Sequence, residues 1–586
     1  MMITRLPSHP ASPLRWLFPL TALAALASIA LWMAAAPGDS GASSLHNPSI
    51  ACDQTGPLVP SADPRLNLSR FDAPLFRDAA LKHFSKAITF RTESFDSQRN
   101  VAPPPAPLPD PIHEPFLAMH TFLQEAFPLV HSHLNRTIIN RYSLLFHWRG
   151  VQSDQLPPLL LMAHLDVVPV LNDTLKQWIH APFDGFVDVE GGKVWGRGAS
   201  DTKQTVCAIL EAVEALLKAG YINPSGGDVY VAFGHDEEIS GHQGAKQVAK
   251  YMREDLDLAG KVGMIIDEGA GVSEFENITI AKVQVAEKGY VDVEIIVAAE
   301  GGHSSVPPKH TAIGFASLLV EAIESNPHSL VLSNNNPLLK MVSCLSRHVP
   351  RADHFYARAL AHLDNPRMRE RLLQRLAGQS PAMKARFSTT QAVDIVQGGL
   401  KVNALPERVS VKINHRIGVH DSVLGVQEHF ERVLTPVVKR VGVNLRVMQF
   451  KDPSELAFQL LVSGARVNAT VTTGPFPLEP SPVSPSNNRE DGIWRVLEGT
   501  IHHVLDGRAW EGEGRVLVVP HLATGNTDTK HFWALTDRIF RFGPFVGLGA
   551  HTVNEYAAID KFFDGVKFFH ELIRNWGEMD KSNRRN

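Results

Sequence analysis

Cysteine is scarce in this sequence: Cys52, Cys207 and Cys344 are its three members among 586 residues. Three cysteines cannot form a disulfide framework or a thiolate metal site, so any bound metal must be held by histidine, aspartate and glutamate. An excess of charge is also missing, because 57 basic residues stand against 61 acidic ones and the formal net charge is −4. We therefore expect no nucleic-acid partner.

The first 36 residues differ in composition from the rest of the chain. Residues 16–36 form an uncharged apolar run, which as a helix is about 30 Å long and matches the hydrocarbon core of a bilayer. Arg5 and Arg15 precede this run and favour a cytoplasmic N-terminus. We interpret residues 1–36 as a cytoplasmic tail and signal anchor, with a cleaved signal peptide as the alternative. Both interpretations predict that the remaining chain is lumenal.

Glycosylation sequons agree with passage through the secretory pathway. The five N-x-S/T sequons begin at Asn67, Asn135, Asn172, Asn277 and Asn468. We therefore expect a single-pass membrane glycoprotein whose main part lies on the lumenal side.

The order of strands and helices predicts an α/β fold. Residues 159–163 are uniformly apolar, which indicates a strand buried on both faces. Further strands at 229–233 and 262–266 alternate with helical patterns, which predicts a mostly parallel sheet flanked by helices. After Lys288 the strands alternate between apolar and polar residues, so we expect a smaller inserted α+β domain there.

These patterns divide the chain into five segments. The tail and anchor occupy residues 1–36, and a linker rich in glycine, serine and proline occupies 37–75. The catalytic domain takes 76–287 and 476–581, and the inserted lid or dimerisation domain takes 288–475. We expect the charged helical stretch 347–386 to decorate the inserted domain.

Acidic and imidazole side chains follow several of the predicted strands. They are His164 with Asp166, Asp201, the pair Glu237 and Glu238, Asp267, and His551. The ends of parallel strands lie along one edge of a sheet, so these groups are expected to converge. Crowded carboxylates need compensating cations, and ligands of this kind suit two zinc ions, with manganese or cobalt as substitutes. A carboxylate between two such ions and an unligated acidic base would activate a water molecule.

The same segments resemble the dinuclear zinc hydrolases that include carboxypeptidase S, aminoacylase and acetylornithine deacetylase. The matching motifs, in the order of that family, are MAHLDVVP, VWGRGASDTK, FGHDEEISG, IIDEG, GGHSSVPP and GAHTVNE. ITFRTESFD and EPFLAMHTFLQEAFPLVH resemble the branch of fungal vacuolar carboxypeptidase S, whose members are anchored in the membrane. The resemblance implies a zinc exopeptidase-like fold and a vacuolar or other secretory compartment.

The resemblance also implies a role for each metal-site residue. His164 and Asp267 would hold one zinc, Glu238 and His551 the other, and Asp201 would bridge the two. Glu237 would be the general base, and Asp166 would orient His164. Either Asp267 or the following Glu268 fits the motif, and we choose Asp267.

Three residues of the inserted domain match substrate-binding positions of the family. His303 would stabilise the tetrahedral oxyanion, in many relatives across a dimer interface, so we expect a homodimer. Asn403 and Arg416 would contact substrate, and a guanidinium suits the free carboxylate that an exopeptidase recognises. One departure is Thr202, which stands where many relatives have a second aspartate.

Three functions compete on these observations. The first is a zinc-dependent carboxypeptidase that hydrolyses the C-terminal bond of short peptides through a metal-bridged water and a glutamate base. The second is an amidohydrolase or synthase of N-acyl amino acids, because relatives of this branch include such enzymes. The third is an inactive membrane-anchored binding protein, against which the complete set of candidate ligands argues.

Overall fold

The computed structural model describes residues 52–99, 101, 111–275, 278–349, 353–487, 491–506 and 515–579. The predicted tail and anchor and the sequon at Asn277 lie outside the described residues. Within the described ranges, no helix combines the length and the apolar character needed to cross a membrane.

A nine-stranded sheet forms the centre of the larger part of the molecule, in the order β1–β2–β6–β3–β7–β19–β9–β18 with β8 paired to β9. Its strands are β1 Asn135–Ile139, β2 Ser143–Trp148, β3 Leu159–His164, β6 Val229–Gly234, β7 Met264–Ala270, β8 Val272–Phe275, β9 Ile278–Glu287, β18 Arg515–Ala523 and β19 Ile539–Phe542. The central strands β6, β3, β7 and β19 run parallel to one another.

Helices cover both faces of this sheet. Their bounds are α1 Pro74–Ile88, α2 Glu114–Ala126, α3 Pro128–His133, α4 Lys203–Lys218, α5 Ala245–Glu254, α12 Gly492–Leu505 and α13 Ile559–Glu578. Leu159 and Leu161 of β3 pack into the cluster that contains α4, whereas Leu160 and Met162 pack into the cluster that contains α5. Successive residues of a strand point to opposite faces, so this strand is apolar throughout because both faces are covered. The predicted α/β class is confirmed.

A six-stranded sheet lies within residues 289–473, in the order β12–β14–β10–β17–β15–β16. Its strands are β10 Gly289–Ala298, β12 Thr390–Gly398, β14 Arg408–Ile417, β15 Val443–Met448, β16 Leu456–Leu460 and β17 Val467–Thr473. Helices α6 (Ala312–Glu324) and α11 (Val423–Val441) cover one face of it. Thr311 and Ser422 begin these helices, since each hydroxyl accepts a backbone N–H of the first turn. We refer to this unit as the lid.

The helices between α6 and β12 do not decorate the lid, which corrects our expectation for residues 347–386. They are α7 Leu338–His348, α8 His354–Ala361, α9 Pro366–Ala377 and α10 Pro381–Lys384. Their apolar faces form one cluster with Ile280 of β9 and with Leu517 of β18. The physical reason is that these strands end the large sheet and carry apolar side chains that need cover. A disulfide between Cys52 and Cys344 joins the N-terminal stretch to α7, and Cys207 is buried and free.

Small sheets complete the fold. β20 (Gly547–Leu548), β21 (Tyr556–Ala558), β5 (Lys193–Trp195) and β4 (Phe186–Asp188) form a four-stranded sheet. β11 (Gly302–His303) and β13 (Ala404–Leu405) pair on the lid. The four-stranded sheet matters for function because it brings the segment around His551 to the segment around Asp201.

Candidate dinuclear metal site

Two groups of histidine and carboxylate side chains meet at the ends of the central strands. His164, Asp201 and Glu268 form the first group, and Asp201, Glu238 and His551 form the second. In each group the potential ligand atoms lie within 4.8 Å of one another. Strands β3, β6 and β7 deliver His164, Glu238 and Glu268, because parallel strands release their carboxyl ends at the same edge.

The carboxylate of Asp201 lies between the two groups and contributes one oxygen to each. Its Oδ1 is 3.2 Å from His164 Nε2, and its Oδ2 is 3.1 Å from His551 Nε2. His551 Nε2 is also 3.0 Å from Glu238 Oε2. A carboxylate in this position has the geometry needed to bridge two divalent ions.

Glu268, rather than Asp267, completes the first group. Glu268 Oε1 is 3.3 Å from His164 Nε2, whereas Asp267 belongs to neither group. Both residues lie in β7, and neighbouring residues of a strand point to opposite faces. Asp267 is therefore expected on the opposite face of β7 from Glu268, and its register partner in β19 is Arg541. This geometry favours Glu268 over Asp267 as the ligand beside His164.

Asp166 is buried behind the metal-site residues and contacts two of the segments that carry them. Its Oδ1 is 3.4 Å from His164 Nδ1, and His164 Nδ1 also lies 2.9 Å from the Asp166 carbonyl oxygen. The two carboxylate oxygens accept the backbone N–H groups of Glu237 and Glu238 at 3.0 and 3.1 Å. Asp166 thus holds the His164 ring and the turn at 237–239 in one arrangement.

Glu237 lies beside both groups but belongs to neither of them. It lines the same cleft as Glu238 and His551. Burial raises the pKa of Glu237 well above its ordinary range; the His164 charge opposes this shift, and the neighbouring Glu268 carboxylate adds to it. A carboxyl group with a raised pKa is suited to accept and return a proton near neutral pH.

The electrostatics of the site fit the binding of cations. Burial raises the pKa of Glu268 to about 8 and also raises that of Glu238. Hydrogen bonds to Asp201 and Glu238 raise the pKa of His551 to about 10. Crowded carboxylates of this kind need positive charge to ionise together, and the nitrogen and oxygen ligands present suit zinc. The residues therefore fit a pair of divalent metal ions.

Glu555 has a supporting function that we did not predict from the sequence. The side chain is fully buried, and it accepts the backbone N–H groups of Gly198, Ser200 and Asp201 at 3.1, 2.8 and 3.1 Å. It also accepts Arg197 Nη1 at 2.5 Å. Glu555 lies on the same hairpin as His551, so one carboxylate fixes the Asp201 turn relative to the second histidine. The GAHTVNE motif contained this residue, but no strand pattern singled it out.

A cleft of about 730 Å³ opens from the metal site toward the lid. Its lining includes Glu237, Glu238 and His551 of the catalytic part together with Arg416 and Tyr290 of the lid. The Arg416 guanidinium lies 5.6 Å from the centre of the Tyr290 ring and donates to Asn526 Oδ1 at 3.2 Å. Within the described residues, Arg416 forms no ion pair with a carboxylate. In this part of the chain, its charge therefore lies in the cleft without a carboxylate in contact with it.

The other two predicted substrate residues lie elsewhere on the lid. His303 is exposed in β11, which pairs with β13, and Ser304 N–H donates to the Asn403 carbonyl at 3.3 Å. Neither His303 nor Asn403 is among the described residues that line the cleft. Within one chain the structure brings Arg416, but not His303 or Asn403, to the metal site.

A parallel sheet whose strand ends gather two histidine and carboxylate groups beside a buried glutamate is the arrangement of a metal-dependent hydrolase. Comparison with known proteins agrees with this class. Residues 160–575 match Peptidase family M20/M25/M40, and the chain belongs to this family. The family resemblance inferred from the motifs is confirmed.

Individual relatives cover most of the chain. Carboxypeptidase S of Saccharomyces cerevisiae is 35% identical over 92% of this chain and 90% of its own length. The N-fatty-acyl-amino acid synthase/hydrolase PM20D1 of Mus musculus is 32% identical over 78% of this chain and 81% of its own. Human carnosine dipeptidase 1 superposes with a TM-score of 0.56, covering 89% of this chain and 100% of that one, at 15% identity. At that identity the superposition shows the fold alone.

Proposed function

We propose that this chain is a zinc-dependent carboxypeptidase that hydrolyses the C-terminal peptide bond of short peptides. The observation that carries this proposal is the Arg416 guanidinium, which contacts no carboxylate of the described residues and shares a cleft with Glu237. A guanidinium binds a carboxylate through two parallel hydrogen bonds. A substrate held in this way by its terminal carboxylate presents the adjacent amide bond to the metal site. The similarity to yeast carboxypeptidase S supports the same substrate class.

Two zinc ions are the proposed cofactors, with His164 and Glu268 on one, His551 and Glu238 on the other, and Asp201 between them. When bound, such ions lower the pKa of a coordinated water and polarise a carbonyl group. Glu237 accepts the proton of the attacking water on its carboxylate and then delivers it to the leaving nitrogen. Asp166 keeps the His164 ring and the Glu237 backbone in place through the contacts described above.

Two matched substrates test the proposal. We expect a blocked glycyl dipeptide with a free terminal carboxylate to be hydrolysed, and the same dipeptide with a terminal carboxamide to react at least about 100-fold more slowly, since a charged hydrogen bond at Arg416 would be lost. Removing the metal with a chelator should abolish turnover, and adding zinc should restore it. Equal turnover of the acid and the amide would contradict a carboxypeptidase.

Hydrolysis or synthesis of N-acyl amino acids is the second candidate function. The similarity to the mouse N-fatty-acyl-amino acid synthase/hydrolase favours it, and such a substrate also carries a carboxylate next to its amide bond. Comparing kcat/KM for a glycyl dipeptide with that for a fatty-acyl amino acid separates the two. A clear preference for the acyl substrate would replace the first proposal with the second.

A homodimer formed through the lid is the proposed assembly. Strand β12 is an edge of the six-stranded sheet, and edge strands present unpaired backbone groups to a partner. Apolar side chains nearby are exposed, with Leu400 and Val402 fully so and Val306 at 80%. In such a dimer the partner's His303 would be available to stabilise the oxyanion, and Asn403, next to β11, would contact the substrate.

Sedimentation of variants tests this assembly. Val402→Asp should convert a dimer to a monomer and lower turnover, because the site would lose the partner's His303. Val151→Asp is the matched control, since Val151 is also exposed but lies on the catalytic part. A wild-type chain that sediments as a monomer and is fully active would refute the dimer.

A lumenal, vacuolar or other secretory location completes the proposal. The Cys52–Cys344 disulfide supports it, because disulfides persist mainly in oxidising compartments. The sequon residues Asn67, Asn135, Asn172 and Asn468 are all exposed, as glycan attachment requires. Residues 16–36 would anchor the chain in the membrane. Glycosidase treatment should lower the apparent mass, and an unchanged band would count against a glycosylated lumenal enzyme.

A further inference from the structure

Asn526 joins the catalytic part of the molecule to the arginine that faces the cleft. Its side-chain oxygen accepts Arg416 Nη1 at 3.2 Å, and its Nδ2 donates to the Lys288 carbonyl at 2.5 Å. Lys288 precedes β10, whereas Asn526 follows β18 of the large sheet. The oxygen and the nitrogen of the Asn526 side chain are therefore both hydrogen-bonded, and they hold the Arg416 guanidinium at the junction between the two sheets.

The segment that starts at Asn526 ends against the turn that carries Glu237. His531 Nε2 lies 2.9 Å from the carbonyl oxygen of Ser240. Ser240 directly follows the turn Glu237–Ile239 and has a left-handed backbone, with φ of 88°. Residues 526–531 thus connect Arg416 to the turn that carries Glu237.

A buried ion pair fixes the middle of this segment. Glu287 and Arg541 are both fully buried and lie 2.9 Å apart. The two Glu287 oxygens accept Thr527 N–H at 2.8 Å and the Thr529 hydroxyl at 3.1 Å. A buried charge pair with all its hydrogen bonds satisfied is rigid, because loss of any one contact leaves an unpaired group. The 526–531 segment is therefore held at both ends and at its centre.

We propose that Asn526 is a positioning residue that sets the distance between the Arg416 guanidinium and Glu237, and so directs hydrolysis to the amide bond next to a free α-carboxylate. This inference rests on the proposed function. It adds that the catalytic part of the chain, and not the lid alone, determines where the carboxylate binds. Arg416 provides the positive charge that binds the carboxylate, and the hydrogen bond to Asn526 orients the guanidinium.

A double-mutant cycle on the zinc-loaded full chain tests this inference. The variants are Asn526→Ala, Arg416→Ala and both together, assayed with the blocked dipeptide acid. Asn334→Ala is the matched control. Asn334 Oδ1 also accepts a hydrogen bond from an arginine, Arg369 Nη2, at 2.7 Å, but Asn334 is not among the residues that line the cleft. We expect Asn526→Ala to raise KM about tenfold, the loss of one charged hydrogen bond. The double variant should match Arg416→Ala, since Asn526 acts only through Arg416.

Two further measurements separate positioning from a structural role. Asn526→Asp should raise KM more than Asn526→Ala, because the new carboxylate would pair with Arg416 and compete with the substrate. The thermal midpoint should stay within about 2 °C of wild type in each single variant. Additive effects in the double variant, or equal KM values for the Ala and Asp variants, would overturn the inference. A wild-type enzyme that does not prefer the acid over the amide would instead overturn the proposed function.

Discussion

The carboxylate of Glu555 accepts the backbone N–H of Asp201 at 3.1 Å. Asp201 is the residue shared by both metal-binding groups, and Glu555 comes from the hairpin that carries His551. The relative position of the bridging aspartate and the second histidine therefore depends on a residue that is not a ligand. Residues that orient ligands in this way commonly change metal affinity by about 10- to 100-fold when they are replaced.

We therefore predict that Glu555→Gln weakens metal binding by about 10- to 100-fold while the chain remains folded. The amide keeps one acceptor oxygen but cannot satisfy all the N–H donors of residues 197–201. Competition with a metal-sensitive chelator would measure the change. Glu214→Gln is the control, because Glu214 is also buried and accepts two backbone N–H groups far from the site. Equal affinities in both variants would rule out the supporting role of Glu555.

A second prediction decides between the two acidic residues of β7. Glu268→Ala should lose metal from the site shared with His164, because its carboxylate lies 3.3 Å from the imidazole. Asp267→Asn should retain metal, since its side chain points to the other face of the strand. Metal content per folded chain, measured by elemental analysis, is the test. Loss of metal in the Asp267 variant with retention in the Glu268 variant would restore the original choice.

The catalytic base gives a third prediction. Glu237→Gln keeps the size of the side chain and leaves both metal-binding groups intact, but it removes the group that accepts a proton. We expect normal metal content and a fall in kcat of about 10²- to 10⁴-fold. Glu274→Gln, at an exposed position of strand β8, is a control for the same chemical change. Substantial remaining turnover would assign the base to another residue.

The residues of this site could be predicted where a local sequence motif identifies them. The motif order indicated His164, Asp201, Glu237, Glu238 and His551, and the structure gathers all five at one sheet edge. The choice between Asp267 and Glu268 depended on which face of β7 each residue occupies. The residues that precede Asp267 in β7 are all apolar and buried, so they show no polar alternation that would reveal this.

Contacts between segments that are distant in the chain could not be predicted from the sequence. Cys52 and Cys344 are 292 residues apart, and spacing alone does not pair cysteines. Glu555 is one acidic residue in a hairpin, and its importance is visible only when the 197–201 turn lies against it. Helices α7–α10 were misplaced for the same reason, because an amphipathic pattern indicates a buried face but does not name its partner.

The last prediction concerns stability in acid and the histidines of the lid. His328 stacks on His429 with ring centres 3.9 Å apart, and His415 lies 5.8 Å from His328. Burial lowers the pKa of His415 to about 3 and that of His328 to about 4. Asp421 and Arg432 face the same cluster with opposite effects on the pKa of His328.

The sign of the effect follows from these shifts. The unfolded chain binds protons at these positions below a pH of about 6.5, whereas the folded chain keeps the rings neutral. The free energy of unfolding is therefore unaffected by these groups above that pH and decreases as the pH falls toward 4. Each group contributes up to about 1.4 kcal/mol per pH unit in this range. We therefore expect protonation of these histidines to lower the stability of the lid in acid.

His415→Leu tests this expectation, because it removes one titrating group from a fully buried position and leaves an apolar side chain there. Urea unfolding at pH 7 and at pH 5 should give a smaller difference in the free energy of unfolding than in wild type, by about 2 kcal/mol at most. His133→Ala, at an exposed position on α3, should leave the wild-type difference unchanged. If the Leu variant loses as much stability between pH 7 and pH 5 as wild type, proton binding at His415 does not contribute, and the acid sensitivity comes from other buried groups.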